Sequence, residues 1–191
     1  MEIYVLLFIL IFAINVVPAF MPPTWIILSF FYVNNDLLFL PTVILGVIAA
    51  TSGRIVLALI SKYWLKKVLP TGFYSNYQYL GKYLKGHTKL TLPIVFGYAF
   101  SPISSNSLFI MAGLSDLNLK LIAASFFIGR LVSYSFWITA SHQLSNRLDT
   151  IFTGAFSNLN TLISALVSMG IVIIIGRIDW RTLLKFKIEK P

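Results

Sequence analysis

The chain has no cysteine among its 191 residues, only six acidic residues and two histidines. The absence of cysteine excludes disulfides, cysteine-based zinc sites and thiol chemistry, and leaves the redox compartment open. His87 and His142 have no Asp, Glu or Cys at ligand spacing, so neither a metal site nor a cofactor is expected. No nucleophile elbow, P-loop or dinucleotide fingerprint occurs, and Ser141-His142 is mere adjacency, so the chain is not expected to be an enzyme. There is no Asn-x-Ser/Thr sequon to mark a glycosylated face. Charge is scarce at 11%, and no polar stretch is long enough to fold alone, residues 62–89 being too short and too rich in Gly and Lys. A single transmembrane domain over 1–191 is the expectation.

What the chain does have is apolar surface. Hydrophobic residues make up 58% of it, and its mean hydropathy is +0.85, values that imply an integral membrane protein. Four segments approach the roughly 20 apolar residues needed to cross a bilayer: 3–20, 40–61, 119–140 and 159–176. Glu2 stands where a signal peptide would carry a basic residue and no cleavage site follows, so the first segment is read as a retained span. Two further apolar pieces, 21–36 (MPPTWIILSFFYVNND) and 98–116 (YAFSPISSNSLFIMAGLSD), are interrupted by proline and polar residues. Non-helical backbone at membrane depth must be sheltered by protein or line a watery cavity, so each is expected to form a re-entrant hairpin.

With both pieces re-entrant, the N-terminus, the loop 62–89 and the tail 177–191 fall on one face. That face collects Lys62, Lys66, Lys67, Lys82, Lys85 and Lys89, then Arg177, Arg181, Lys185, Lys187 and Lys190. By the positive-inside rule it is cytoplasmic, in a multi-pass cell-membrane protein. The net charge of +9 sits beside apolar spans, which points to anionic lipid headgroups as partners and away from nucleic acid. Homo-oligomerisation is left open. The Tyr-, Trp- and Lys-rich stretch within 61–86 suits a headgroup-level amphipathic element.

The two broken pieces repeat. Pro22 precedes Asp36 by fourteen positions, as Pro102 precedes Asp116, and each aspartate is followed by an apolar helix carrying a Gly-Arg pair, Gly53-Arg54 and Gly129-Arg130. Inserted from opposite faces, such units form the inverted repeat of transporter folds with broken helices. The expected fold is therefore an all-α polytopic membrane protein with about four transmembrane helices plus two oppositely inserted re-entrant hairpins.

An arginine deep in a span costs at least about 2.5–3.5 kcal/mol if it faces lipid, so Arg54 and Arg130 should face the interior. They either bind an anionic group, most simply phosphate, or pin the hairpins through unpaired carbonyls or through Asp36 and Asp116. Ser104, Ser105, Asn106 and Ser107 satisfy backbone at a hairpin tip or line a polar cavity for a headgroup. Pro22, Pro23 and Pro102 break helices, while Gly53, Gly113 and Gly129 suit close helix packing. Asp36 and Asp116 are either ion sites or caps of the next helix.

Over about residues 14–140 this pattern resembles the DedA family, also described as the SNARE-associated or VTT-domain family. The resemblance rests on SPISSNSLFIMAGLSDLNL, with Pro102 and Ala112-Gly113, on Gly129 and Arg130, and on the layout of VVPAFMPPTWIILSFFYVNND and GVIAATSGR. It implies two oppositely inserted hairpins and the movement of polyprenyl-phosphate carriers or phospholipids between leaflets, as a transporter or scramblase. Where many bacterial members carry acidic residues this chain has Asn15 and Thr24, and it has Ser105 in place of an arginine, so it is a divergent member to which proton coupling through those carboxylates does not carry over. A small-solute exporter and a non-transporting scaffold acting through the basic loop are the alternatives.

Overall fold

The computed structural model describes residues 2–17, 23–86, 105–115 and 117–143, with isolated positions at 93, 96–97, 163, 166, 173–174, 177–179 and 182. Every regular element among these residues is helical. They are α1 (Glu2–Val16), α2 (Thr24–Asn34), α3 (Phe39–Ile60), α4 (Thr71–Gly86), α5 (Asn106–Leu114) and α6 (Leu119–Gln143). A π-helical turn (Ser61–Leu65) and one α-helical turn (Lys66–Val68) prolong α3 without a break into a helix over Phe39–Val68. This helix and α6 are long and apolar enough to cross a membrane. They match the expected spans 40–61 and 119–140; of the expected span 159–176 only positions 163, 166 and 173–174 are described, and Pro22, Pro102, Ser104 and Asp116 lie outside the described residues.

The first expected span is shorter than its apolarity suggested. α1 has 15 residues, about 22 Å against a hydrocarbon core of about 30 Å. Its last bond runs from the Val17 N–H to the Ala13 carbonyl, and Pro18 follows in sequence, which disfavours helical backbone at Val17. The piece expected to bend within 21–36 is continuous helix over Thr24–Asn34. The reversal lies instead between α1 and α2, which pack antiparallel: Asn15 Nδ2 donates to Thr24 Oγ1 (3.2 Å) at one end, and the Leu38 N–H donates to Tyr4 Oη (3.0 Å) at the other. The first residues of α1 therefore share an end of the bundle with Leu38 and Asp36. Lys62, Lys66 and Lys67 are exposed at the opposite end of the long helix, which corrects the expectation that N-terminus and basic loop share a face.

The boundaries follow from local chemistry. α2 begins directly after Pro23, with the Ile26 N–H bonded to the Pro23 carbonyl. Pro41 falls in the first turn of α3, where its missing N–H leaves no partner wanting. Leu69 is extended, as the residue before Pro70 must be, and this ends the long helix. α2 ends with an i→i−4 bond from the Asn35 N–H to the Phe31 carbonyl, followed by the 6→1 bond of a Schellman-type turn from the Leu37 N–H to the Tyr32 carbonyl. Asp36, at φ 46°, supplies the left-handed residue that motif requires, a conformation aspartate tolerates. It is exposed and does not cap α3, whose N-cap is Leu38; at the start of α6 the cap is Asn118, whose Oδ1 accepts from the Leu121 N–H (3.4 Å).

The repeat noticed in the sequence has a backbone counterpart. At the end of α5 the Leu117 N–H bonds the Ala112 carbonyl and the Ser115 N–H bonds Met111, residue for residue the α2 pattern displaced along the chain by the Pro22-to-Pro102 interval. Each short helix is then followed by a long apolar one.

Two apolar cores result. Leu7, Ile11, Ile14, Ile27, Leu28, Val43, Val47, Tyr134 and Ile138 join α1, α2, the first half of α3 and the end of α6. Leu57, Ala58, Tyr77, Leu108, Phe109, Ile122 and Phe126 join the second half of α3, α4, α5 and the start of α6. α3 and α6 are thus antiparallel partners running through both cores. Trp25 stacks on Trp137 with ring centroids 4.4 Å apart, holding α2 against α6. The outward faces of α3 and α6 carry exposed Ile44, Ile48, Ile128, Val132 and Phe136, an apolar exterior suited to lipid.

Candidate functional site

Between the two cores lies a polar layer. On α3, Arg54 falls between Ala50 of one core and Leu57 of the other; on α6, Arg130 falls between Phe126 and Tyr134. Each arginine stands near the middle of its helix, and their side chains are only 6% and 8% exposed. No carboxylate pairs with either arginine among the described residues, and Asp36 is at the surface. A buried cation without a counterion carries a large desolvation penalty unless something else supplies the charge.

Arg54 is held from two sides. Its Nη1 donates to the main-chain oxygen of Asn15 at the end of α1 (3.2 Å) and to Asn106 Oδ1 in the first turn of α5. Asn15 in turn donates through Nδ2 to the Ile11 carbonyl (2.8 Å) and to Thr24 Oγ1 in the first turn of α2. One chain of hydrogen bonds therefore links the α1–α2 reversal, the centre of α3 and the start of α5. Thr24, Asn15 and Asn106 are buried; Arg54 meets the C-terminal end of α1 and the N-terminal end of α5 directly, and the N-terminal end of α2 through Asn15. The α1 carbonyl end carries partial negative charge and so helps hold the guanidinium, while the start of α5 carries partial positive charge and free N–H groups.

Arg130 is clamped by its own helix. Its guanidinium carbon lies 5.0 Å from the Phe126 ring centroid and 5.4 Å from that of Tyr134, one turn to either side. Both contacts are within cation–π range, and the Nε group has no hydrogen-bond partner among the described residues. The Arg54 guanidinium lies within electrostatic range of Arg130 and of Tyr134. Several buried polar atoms have no partner among the described residues: Arg54 Nε, Arg130 Nε, Tyr134 Oη, Ser105 Oγ and Thr51 Oγ1. Orphans of this kind are rare in folded proteins and mark sites of function or of unseen ligands.

Of the residues singled out from sequence, Arg54, Arg130, Ser105 and Asn106 belong to this layer. Gly53 and Gly113 do not line it but bring its walls together. A Cβ on Gly53 would lie 2.7 Å from the Phe12 oxygen, and one on Gly113 would lie 2.2 Å from the Ala58 oxygen. Gly129 is buried beside Arg130 in sequence. Pro23 borders the site as the N-cap of α2. Phe126 and Tyr134 went unnoticed in the sequence; the signal was their position four residues before and after a buried arginine.

These features define an all-helical chain, over the described residues, with two membrane-length helices and a dicationic centre buried between two apolar cores. No family model, no curated protein and no solved structure matches the chain.

Proposed function

We propose that the chain is a membrane transporter or scramblase that moves an anionic, phosphate-bearing lipid, such as a polyprenyl phosphate or a phospholipid, between leaflets, as its resemblance to the DedA family implies. In this reading α3, α6 and the stretch 159–176 cross the bilayer. α1 with α2 forms one re-entrant hairpin, and α5 is the inner limb of a second, inserted from the other side. The exposed lysines beyond α3 face the cytoplasm, as the positive-inside rule requires.

The observation that carries the reading is the buried pair Arg54 and Arg130, two permanent cations at mid-helix with no carboxylate beside them among the described residues. A phosphoryl group would neutralise them, since guanidinium forks match its oxygens in charge and geometry. The scaffold reading needs no such centre, and the apolar exterior is suited to a substrate that keeps its tails in lipid while its headgroup passes through protein.

The test is leaflet exchange of a fluorescent phosphate-bearing lipid in vesicles holding purified protein, compared with empty vesicles. Exchange well above background in wild type, falling to background in the Arg54→Ala, Arg130→Ala double variant that still inserts and folds, is the expected result. Equal exchange in wild type and double variant, or none in either, rejects it.

A further inference from the structure

Tyr134 is fully buried, with 0% of its surface exposed. Its ring belongs to the core that joins α1, α2, α3 and α6, and it also supports the Arg130 guanidinium. Phenylalanine would do both tasks as well. The hydroxyl is therefore the part that needs an explanation, because Tyr134 Oη has no hydrogen-bond partner among the described residues. Burying an unpaired hydroxyl is unfavourable, and buried tyrosines normally find a partner.

Its surroundings say what that partner must be. The neighbours within reach of the central layer are Arg54 and Arg130, which are donors only, and their Nε groups are themselves vacant. Ser105, the N-cap residue of α5, is fully buried beside Asn106, which binds Arg54, and its Oγ is vacant too. Four polar groups without a partner among the described residues thus come from the elements that carry this centre, two on arginines, one on Tyr134 beside Arg130, and one on Ser105, next in sequence to the Asn106 that binds Arg54. A water or a halide cannot accept from all of them, whereas a tetrahedral phosphoryl group presents several acceptor oxygens.

We infer that Tyr134 is a ligand-binding residue of the central site, its hydroxyl donating, together with Ser105 Oγ, to the oxygens of a phosphoryl group held by Arg54 and Arg130. This rests on the transport reading for its lipid source, but the coordination itself is indifferent to whether the phosphoryl group belongs to a headgroup or to free phosphate.

The experiment is calorimetric titration of the full chain in detergent with inorganic phosphate and, separately, with a short-chain phosphatidic acid, alongside thermal melts with and without each. Wild type, Tyr134→Phe, Ser105→Ala and the Arg54→Ala, Arg130→Ala variant are compared. Tyr134→Phe should weaken phosphoryl binding about tenfold or more, as for loss of a hydrogen bond to a charged group. The same variant without ligand should melt no lower than wild type, because an unpaired buried hydroxyl has been removed.

Wild-type affinity in Tyr134→Phe overturns the inference, and with binding still lost in the double-arginine variant it leaves the transport reading standing. A lower melting point of ligand-free Tyr134→Phe also overturns it, by showing that the hydroxyl serves the fold. Binding of phosphatidic acid identifies a headgroup site. Binding of inorganic phosphate alone, weakened in Tyr134→Phe, supports the coordination and rejects the lipid. Binding of neither probe by wild type rejects both.

Discussion

Replacing Asn106 by aspartate should stabilise the protein and abolish the anion binding proposed for its central layer. Asn106 Oδ1 already accepts from Arg54 Nη1 inside the polar layer, so a carboxylate at this position would offer an oxygen in a similar place with a full negative charge. Charge-assisted hydrogen bonds are roughly twice as strong as neutral ones, and here the charge falls beside two buried guanidinium groups that lack a carboxylate among the described residues. The melting temperature should rise. The same charge would stand in the way of any anion drawn to those arginines. At about 4 Å and an effective dielectric near 20, two like charges repel by about 4 kcal/mol, on the order of a thousandfold in affinity. Leaflet exchange should fall with it. The two effects have opposite signs, which separates this outcome from a folding defect. Anion affinity equal to wild type in a well-folded Asn106→Asp protein would place the ligand away from Arg54 and defeat the proposed site.

Much of this arrangement was legible in the sequence, for reasons that can be traced residue by residue. α3 and α6 stand out because long uninterrupted apolar runs have few other stable solutions. The equal spacing of Pro22 to Asp36 and Pro102 to Asp116 marks a repeat, and the backbone bonds that end α2 and α5 share that displacement. Arg54 and Arg130 declare themselves because a charge in an apolar helix must face inward, and both are buried.

The failures are equally specific. Apolarity runs smoothly from residue 3 to 20, and a hydropathy reading does not register that Pro18 disfavours helix at Val17. Counting that run as a span put the N-terminus at the wrong end of the bundle relative to Leu38. Asp36 looked like a helix cap because aspartate favours that role, but the turn it occupies needs a left-handed residue, which sequence spacing alone does not reveal. Tyr134 and Phe126 looked like core, and in part they are. Only their register with Arg130 sets them apart, and the vacancy of a hydroxyl is a fact of three dimensions. Asn15 and Thr24 stood out as neutral residues where many members of the DedA family, which the sequence resembles, carry carboxylates. Their hydrogen bond to each other, and through Asn15 to Arg54, emerges only when α1 and α2 are folded together.

The second large effect should come from Gly113, through packing alone. α5 crosses α3 so closely that a Cβ on Gly113 would lie 2.2 Å from the Ala58 main-chain oxygen and 3.1 Å from Ser61 Cβ. Main-chain atoms in the middle of a continuous helix cannot move aside as a flexible side chain can, so Gly113→Ala forces the two helices apart and Gly113→Leu does so severely. The contact sits within the core of Leu57, Ala58, Leu108, Phe109 and Phe126, where overpacking costs about 1–3 kcal/mol for a single methylene and more for a branched side chain. Separation would also carry Asn106 away from Arg54, since both ends of that hydrogen bond ride on these helices. Gly113→Leu is thus expected to lower thermal stability by several kcal/mol and to lose the proposed anion binding in whatever fraction remains folded. Gly72 provides the control: it lies in the first turn of α4, and a methyl group added there would meet nothing within 4 Å, so Gly72→Ala should leave the proposed binding intact and not lower stability. Comparable behaviour of the two alanine variants in thermal melts would mean that α5 is not seated on α3 at Ala58, and the site would lose one of its walls.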